Sequence, residues 1–284
     1  MEKSPLVSVT MPVFNGGRTI ELAINSLLNQ TYSNWKCIIV NDCSTDGTKN
    51  ILKKYESDFR FKIIHLFENK GRGNARQVAL ENAEGDFLAF LDADDFYHPE
   101  KLRLQVNAFL DNPKIVLCST GVGSFDNCYK LRTYRGFLQN SYGSNYQLKL
   151  YPGPPASCMI KLNIARRNVY NLRLDVGEDN DFIFKCLLGE DYYVINRILY
   201  YYEEIGVVSY GKFVRYQLKY ISTLMTTSSG SQLFISLSRE IPKLIIKCVV
   251  GLFVGSDYFL IKRGKQVNND HIIQYNQTLA DISY

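Results

Sequence analysis

Short apolar runs alternate with amphipathic stretches through the first 120 residues. Val7–Val13, Lys36–Val40, Phe61–Leu66 and Phe87–Leu91 are rich in β-branched, aromatic and other apolar residues and predict strands. Thr19–Asn29, Thr48–Tyr55, Asn74–Ala83 and Pro99–Leu110 predict the intervening helices, the last with proline in its first turn. Ile115–Ser119 predicts a further strand. Such alternation implies an α/β architecture, a Rossmann-like, doubly wound and mostly parallel sheet. In sheets of this kind ligands bind beyond the carboxyl ends of the strands. Polar clusters stand at those ends: Asn15 after the first strand, Asn41-Asp42 after the second, Glu68-Asn69-Lys70 after the third, and Asp92 to Asp95 after the fourth.

Beyond residue 120 the pattern loosens. Residues 121–160 are rich in Gly, Tyr, Asn and Ser and predict loops and short strands around an acceptor. Glu178–Leu188 predicts a helix, Tyr192–Tyr202 a strand, and residues 212–261 helical structure broken at Thr226–Ser231. The expected division is a unit over 1–205, with halves of about 1–120 and 121–205, followed by a basic helical extension over 206–284.

Charge sharpens that division. The net +5 resides in residues 205–284, which hold nine Lys/Arg against four Asp/Glu; residues 1–204 are balanced. Within the extension, Ile241 to Gly255 is apolar with Lys243 and Lys247 four residues apart, and Lys262, Arg263 and Lys265 follow. No run of 18 uncharged apolar residues exists, and the apolar stretch after Lys247 is too short to span a bilayer. Two readings stay open: a helix packing on protein, or an interfacial helix on an anionic membrane. The basic residues are dispersed among apolar ones, which argues against a nucleic-acid partner. No secretory signal precedes the first strand, and seven scattered cysteines without a Cys-x-x-Cys pair predict reduced thiols. The expected location is cytoplasmic, peripheral at the inner face of the plasma membrane if the extension binds lipid.

The candidate chemistry centres on Asp92-Ala93-Asp94-Asp95. Carboxylates this close resist joint ionisation unless a cation sits among them. Magnesium and manganese are commonly held by one or two carboxylates plus substrate phosphates. The alternative is a solvated acidic turn leading into the next helix. Pro12 and Phe14 suit a wall for a flat base, and Asp42 an acceptor for a pyrimidine N–H. Ser44 and Asp46 suit the cap of the next helix. Gly71 and Gly73 open a helix N-terminus to phosphate, with Lys70, Arg72 and Arg76 adding positive charge. Arg76 also suits a structural anchor between its helix and the acidic strand end. Glu178-Asp179-Asn180-Asp181 opens the later helix, where acids are favoured by the dipole or serve as a general base.

The ordered set Pro12-Val13-Phe14-Asn15, Asn41-Asp42-x-Ser44-x-Asp46-Gly47-Thr48, Asn69-x-Gly71-x-x-x-Ala75-Arg76, Leu91-Asp92-Ala93-Asp94-Asp95 with Pro99, and Glu178-Asp179 resembles the family 2 glycosyltransferases. The resemblance covers roughly residues 5–205. It implies the GT-A fold and inverting transfer of sugar from a nucleotide sugar, usually a UDP-sugar. It further implies that Pro12, Val13, Phe14, Asn15 and Asp42 hold the nucleoside end. Lys70, Arg72, Arg76, Asp92 and Ala93 then lie along the donor. Asp92 and Asp94 flank Mn2+ or Mg2+, with Asp94 the direct ligand, and Asp179 is the base, Asp181 its fallback. The implied acceptor is a glycan or lipid-linked saccharide in surface polysaccharide (lipopolysaccharide or capsule) synthesis. Asn41, Cys43 and Gln77 depart from the usual pattern at positions outside this chemistry. Processive members carry a Gln-x-x-Arg-Trp motif, whereas Trp35 is the only tryptophan here, so a single addition is expected. The competing expectation is a protein of the same fold that binds the nucleotide sugar without catalysis.

Overall fold

The computed structural model describes residues 4–136, 139–144, 153–206, 209–227 and 230–283. Its first half follows the expected alternation: β1 (Val7–Val13), α1 (Ile20–Leu28), β2 (Trp35–Asn41), α2 (Thr48–Leu52), β3 (Phe61–His65), α3 (Arg72–Glu81), β4 (Phe87–Phe90), β5 (Phe96–Tyr97), α4 (Lys101–Asp111) and β6 (Ile115–Asp126). Strands β3, β2, β1 and β4 lie side by side in that order, all parallel. Alternation at period two sorts their side chains onto two faces. Val7, Val9, Met11, Cys37 and Ile39 pack with Ile20, Ala23, Ile24 and Leu27 of α1. Ile38, Val40, Leu88 and Phe90 pack with Ala75, Ala79 and Leu80 of α3. Ser8 and Thr10, buried on the otherwise apolar first strand, are satisfied by the carbonyls of Glu84 and Ala89.

The second half completes a mixed sheet. It comprises β7 (Leu131–Arg135), β8 (Ser141–Ser144), β9 (Met159–Lys161), α5 (Leu162–Ala165), α6 (Glu178–Leu187), β10 (Asp191–Ile205), α7 (Tyr210–Thr227), α8 (Gly230–Lys262), β11 (Lys265–Gln266) and α9 (Asn269–Ile282). Strand β9 inserts antiparallel between β4 and β6. β6 runs well past the expected Ser119, because its far half pairs antiparallel with β7 while its other edge carries β10 in parallel register. β10 also takes β5 and β8 antiparallel. The expected strands and loops around an acceptor are thus β7 to β9, except that residues 137–138 and 145–152 lie outside the described residues.

The extension after residue 205 has two parts. Residues 265–282 return to the sheet: β11 pairs with β7, and α9 buries Tyr275 and Ile282 among Phe96, Phe125 and Tyr201. A capping box at Asn268 and His271 starts α9. The other part is the helical pair α7 and α8, pinned by the stacked rings of Phe213 and Phe259 and by Tyr210, which bonds the Cys248 carbonyl. Within α8, Glu240–Lys262 is 23 residues long, predominantly apolar and mostly unburied. By length and composition alone it is long and apolar enough to cross a membrane, at about 1.5 Å rise per residue. The apolar stretch after Lys247 stays as short as expected; the longer segment includes Lys243, Lys247 and Asp257. The backbone leaves helical geometry at Gly255 (φ 75°, ψ 174°), so the segment is two helices end to end. Ile245, Ile246, Val249, Leu252 and Phe253 are exposed along it, so one side of the segment is left uncovered by the described residues while Ser256 and Leu260 are buried.

Candidate active site

At the carboxyl ends of the parallel strands lies a cavity of about 380 Å³. Its walls include Pro12, Val13, Phe14, Asn15, Asp42, Arg72, Arg76, Asp92, Ala93 and Asp94, so nearly the whole expected donor set converges on one space. The loops after β1 and β2 are tied together. Asn15, in the left-handed region at φ 54°, accepts the Thr45 N–H at 2.8 Å and donates its own N–H to Ser44 Oγ at 2.9 Å. Asp46 accepts the N–H groups of Gly17 (2.9 Å) and Thr48 (3.0 Å), so it, not Ser44, bonds the first turn of α2. Asp42 is buried and accepts the N–H groups of Lys70 (3.0 Å) and Gly71 (2.8 Å), which orders the turn into α3. Each carboxylate oxygen keeps a second lone pair for a nucleobase donor. Gly71 at φ 84° makes that turn, a conformation that strains any residue with a Cβ.

The cations divide differently from expectation. The Lys70 side chain turns to Glu68 at 2.9 Å in solvent and does not line the cavity; its contribution is its backbone N–H. Arg76 is buried and committed to two carboxylates, Asp92 at 2.7 Å and Glu178. It is therefore the structural anchor, presenting only part of its surface to the cavity. Arg72 bonds Glu178 and the Asp175 carbonyl, each at 2.9 Å, from the cavity rim. Burial would lower the Arg76 pKa, but Asp92, Asp179 and Glu178 outweigh it and hold the guanidinium charged. For Glu178, burial raises the carboxyl pKa and the two arginines oppose it.

The acidic strand end separates into three roles. Asp95 is fully buried and receives Tyr200 Oη and the Glu203 N–H (2.8 Å), so it joins the strand end to β10. Asp92 faces Arg76. Asp94 stands at the cavity wall, reached by solvent there but enclosed by protein elsewhere. Burial first, then Asp92 and Glu203, push its pKa up to about 7. The nearby cations are spent elsewhere: Arg76 on Asp92 and Glu178, and Arg18 on Glu203 at 2.6 Å. A carboxylate so lacking in positive partners fits a divalent cation. Among the described residues no group of three His, Cys, Asp or Glu side chains forms a cage, so such a cation would complete its shell with phosphate and water.

Asp179 opens α6 after Gly177, which sits at φ 82°. It lines a second cavity of about 550 Å³ with Asn180, Tyr202, Arg135, Arg263, Lys265 and Pro155. Tyr202 borders both cavities, and a narrow gap lined by Arg76, Asp92, Pro155 and Asp179 lies between them. Asp181 lines neither; it pairs with Lys185 at 2.6 Å, one turn along α6. Residues outside the sequence expectation complete both spaces: Arg18, Tyr202 and Glu203 in the first, Arg135, Arg263 and Lys265 in the second. Arg18 follows Gly16-Gly17 close to a strand end and was within reach of motif reading. The others arrive through long-range pairing of β10, β7 and β11.

A mostly parallel sheet with a nucleotide-sized cavity at its strand ends, an aspartate pair there and a carboxylate across a gap describes the GT-A class of glycosyltransferases. The chain belongs to glycosyl transferase family 2, whose family model matches residues 8–171. It is 45% identical over 108 residues, 38% of its length, to the Bacillus subtilis (strain 168) glycosyltransferase TuaG, named for teichuronic acid biosynthesis, of which the match covers 43%. It is 37% identical over 143 residues, 48% of its length, to WfgD of Escherichia coli, named UDP-Glc:alpha-D-GlcNAc-diphosphoundecaprenol beta-1,3-glucosyltransferase, of which the match covers 56%. The chain thus spans about half the length of these relatives. In fold it is similar to S. aureus TarS 1-349 (TM-score 0.59, 22% identity, 97% of this chain and 79% of that one). It is also similar to the mannosyltransferase PcManGT of Pyrobaculum calidifontis, solved with GDP-Man and Mn2+ (TM-score 0.58, 14% identity, 98% and 81%).

Proposed function

We propose that this chain is an inverting glycosyltransferase that moves one sugar from a UDP-sugar to a hydroxyl of a lipid-linked saccharide in surface-polysaccharide synthesis. The observation that carries the reading is the pair of cavities meeting at Asp92 and Asp179. One is walled by strand ends and suits a nucleoside diphosphate; the other contains a carboxylate and suits an acceptor. The base and ribose lie against Pro12, Val13, Phe14, Asn15 and Asp42, and the diphosphate lies toward Ala93, Asp94 and Arg72. Asp94, with Asp92, would hold manganese or magnesium. That ion, when bound, supplies Lewis-acid stabilisation of the departing diphosphate.

Asp179 accepts the proton of the acceptor hydroxyl as its oxygen attacks the anomeric carbon. The bond from that carbon to the donor phosphate breaks with its electron pair leaving on the nucleotide. Configuration inverts in one displacement. Asp179, not Asp181, is the base, because Asp181 is paired with Lys185 away from both cavities. The donor and acceptor classes are supported by the name of WfgD and by a second TarS structure, solved with UDP. The exposed stripe of α8 beside Lys243, Lys247 and Lys262 supports peripheral contact with an anionic membrane, where a lipid-linked acceptor resides.

Calorimetric titration with UDP, GDP and CMP, in manganese and in EDTA, tests the donor site on the wild type and Asp94→Asn. Metal-dependent binding of UDP alone, lost in the variant, is expected. Binding of GDP or CMP in its place would move the donor class, and binding of none by the folded protein would remove the donor-site reading.

A further inference from the structure

The second cavity has a charge pattern that a neutral glycan does not call for. Three of its four charged lining residues, Arg135, Arg263 and Lys265, are cationic, and the fourth is Asp179. Beneath them one buried carboxylate, Glu204, receives both guanidiniums, Arg135 at 3.3 Å and Arg263 closer. Ser124 Oγ also donates to Glu204, at 2.5 Å, which fixes that carboxylate in place. Lys265 meets the Gly136 carbonyl at 3.1 Å and the face of Tyr134 at 5.8 Å, and no carboxylate pairs with it among the described residues. Two guanidiniums and an ammonium against the carboxylates of Glu204 and Asp179 leave one positive charge in excess. Forked guanidiniums match phosphate oxygens.

Resting on the proposed transferase reading, we infer that Arg135, Arg263 and Lys265 form a subsite for the diphosphate that joins the acceptor sugar to its lipid. The donor diphosphate has its own place beside Asp94, so this is a second anion position on the Asp179 side. Chain geometry favours a lipid-linked source over a free phosphate. Arg263 directly follows α8, whose exposed apolar residues Val249, Leu252 and Phe253 stand ten to fourteen positions earlier in the chain, before the break at Gly255. A lipid tail along that stripe brings its head group to Arg263 and Lys265, and the sugar beyond it to Asp179. Pairing of β11 with β7 holds Lys265, and Glu204 of β10 holds Arg263, against the sheet, which gives the basic extension a part in acceptor binding.

The test titrates the full chain in EDTA, where the metal-dependent donor site is silent, with geranyl diphosphate and with inorganic pyrophosphate. UDP with manganese is titrated separately. Geranyl diphosphate is expected to bind the wild type more tightly than pyrophosphate does. Arg263→Gln and Lys265→Gln should each weaken it about tenfold, the scale of one charge-assisted contact. Lys265 is exposed on a short edge strand, so its variant keeps the fold, and retained UDP binding verifies this in both. Undiminished geranyl diphosphate binding in both variants would overturn the subsite. Equal affinity for pyrophosphate would overturn the lipid-linked assignment. Failure of UDP binding alone would strike the donor-site reading and leave this one standing.

Discussion

Glu178→Ala is the perturbation whose size the geometry sets most directly. The Glu178 side chain is fully buried, at 0% exposure, and Arg76 beside it is at 9%. Removing one partner of a buried ion pair costs about 3–5 kcal/mol, because the other charge stays desolvated. Two features place the loss near the lower end. Arg76 keeps Asp92 at 2.7 Å and borders an open cavity, and Arg72, at 45% exposure, regains solvent once released. About 3 kcal/mol in a chain of this size lowers the melting temperature by roughly 6 °C. Thermal unfolding of Glu178→Ala, Arg76→Met and the double variant measures it. The double loss should fall short of the sum by about 1 kcal/mol or more, since neither side chain remains to be stranded by the other. A drop under about 1 °C for Glu178→Ala, or strict additivity, would refute the network as the link between α3 and α6. The same variant should also weaken metal-dependent UDP binding, because Arg76 then leans wholly on Asp92.

Asp179→Asn should abolish sugar transfer in a radiolabelled donor assay while UDP binding persists; transfer by the variant would remove Asp179 from the base role. Asp94 has its pKa raised to about 7, so it is mostly protonated below that pH, and a cation binding there must displace the proton. Binding of a preformed manganese–UDP complex should therefore strengthen from pH 6 to pH 8 and release about half a proton near pH 7, read by calorimetry in buffers of different ionisation enthalpy. No proton release between pH 6 and 7 would sink that account. Gly71→Ala places a Cβ at φ 84° and should cost about 1 kcal/mol or more in urea unfolding, with weaker UDP binding from the disturbed Asp42 contact. Leu252→Glu with Phe253→Glu should abolish sedimentation with anionic vesicles without changing UDP binding; unchanged sedimentation would separate α8 from the membrane.

Much of the nucleotide-binding half was legible because its information is local. Period-two and helical patterns give β1 to β4 and α1 to α4, and in a parallel sheet the carboxyl ends of successive strands meet on one side. Pro12, Asp42, Arg72 and Asp92 therefore converge from sequence order alone. The same logic located Asp179 at a helix start. What the chain pattern left undecided was how charges pair. Lys70 turns to nearby Glu68, whereas Arg76 is shared between Asp92 and the distant Glu178, and Asp95 is taken up by Tyr200 and the Glu203 N–H from more than 100 residues away. The acceptor side was less legible still. Tyr202, Arg135, Arg263 and Lys265 reach one cavity only because β10 runs along β6 and β11 closes on β7. Strand pairing between distant segments follows from burial of whole faces and shared hydrogen bonds, which no window of sequence contains. Residue types and their periodicity thus determined the fold class and which residues line the strand-end cavity; long-range packing alone decided which charges remain available to bind a ligand.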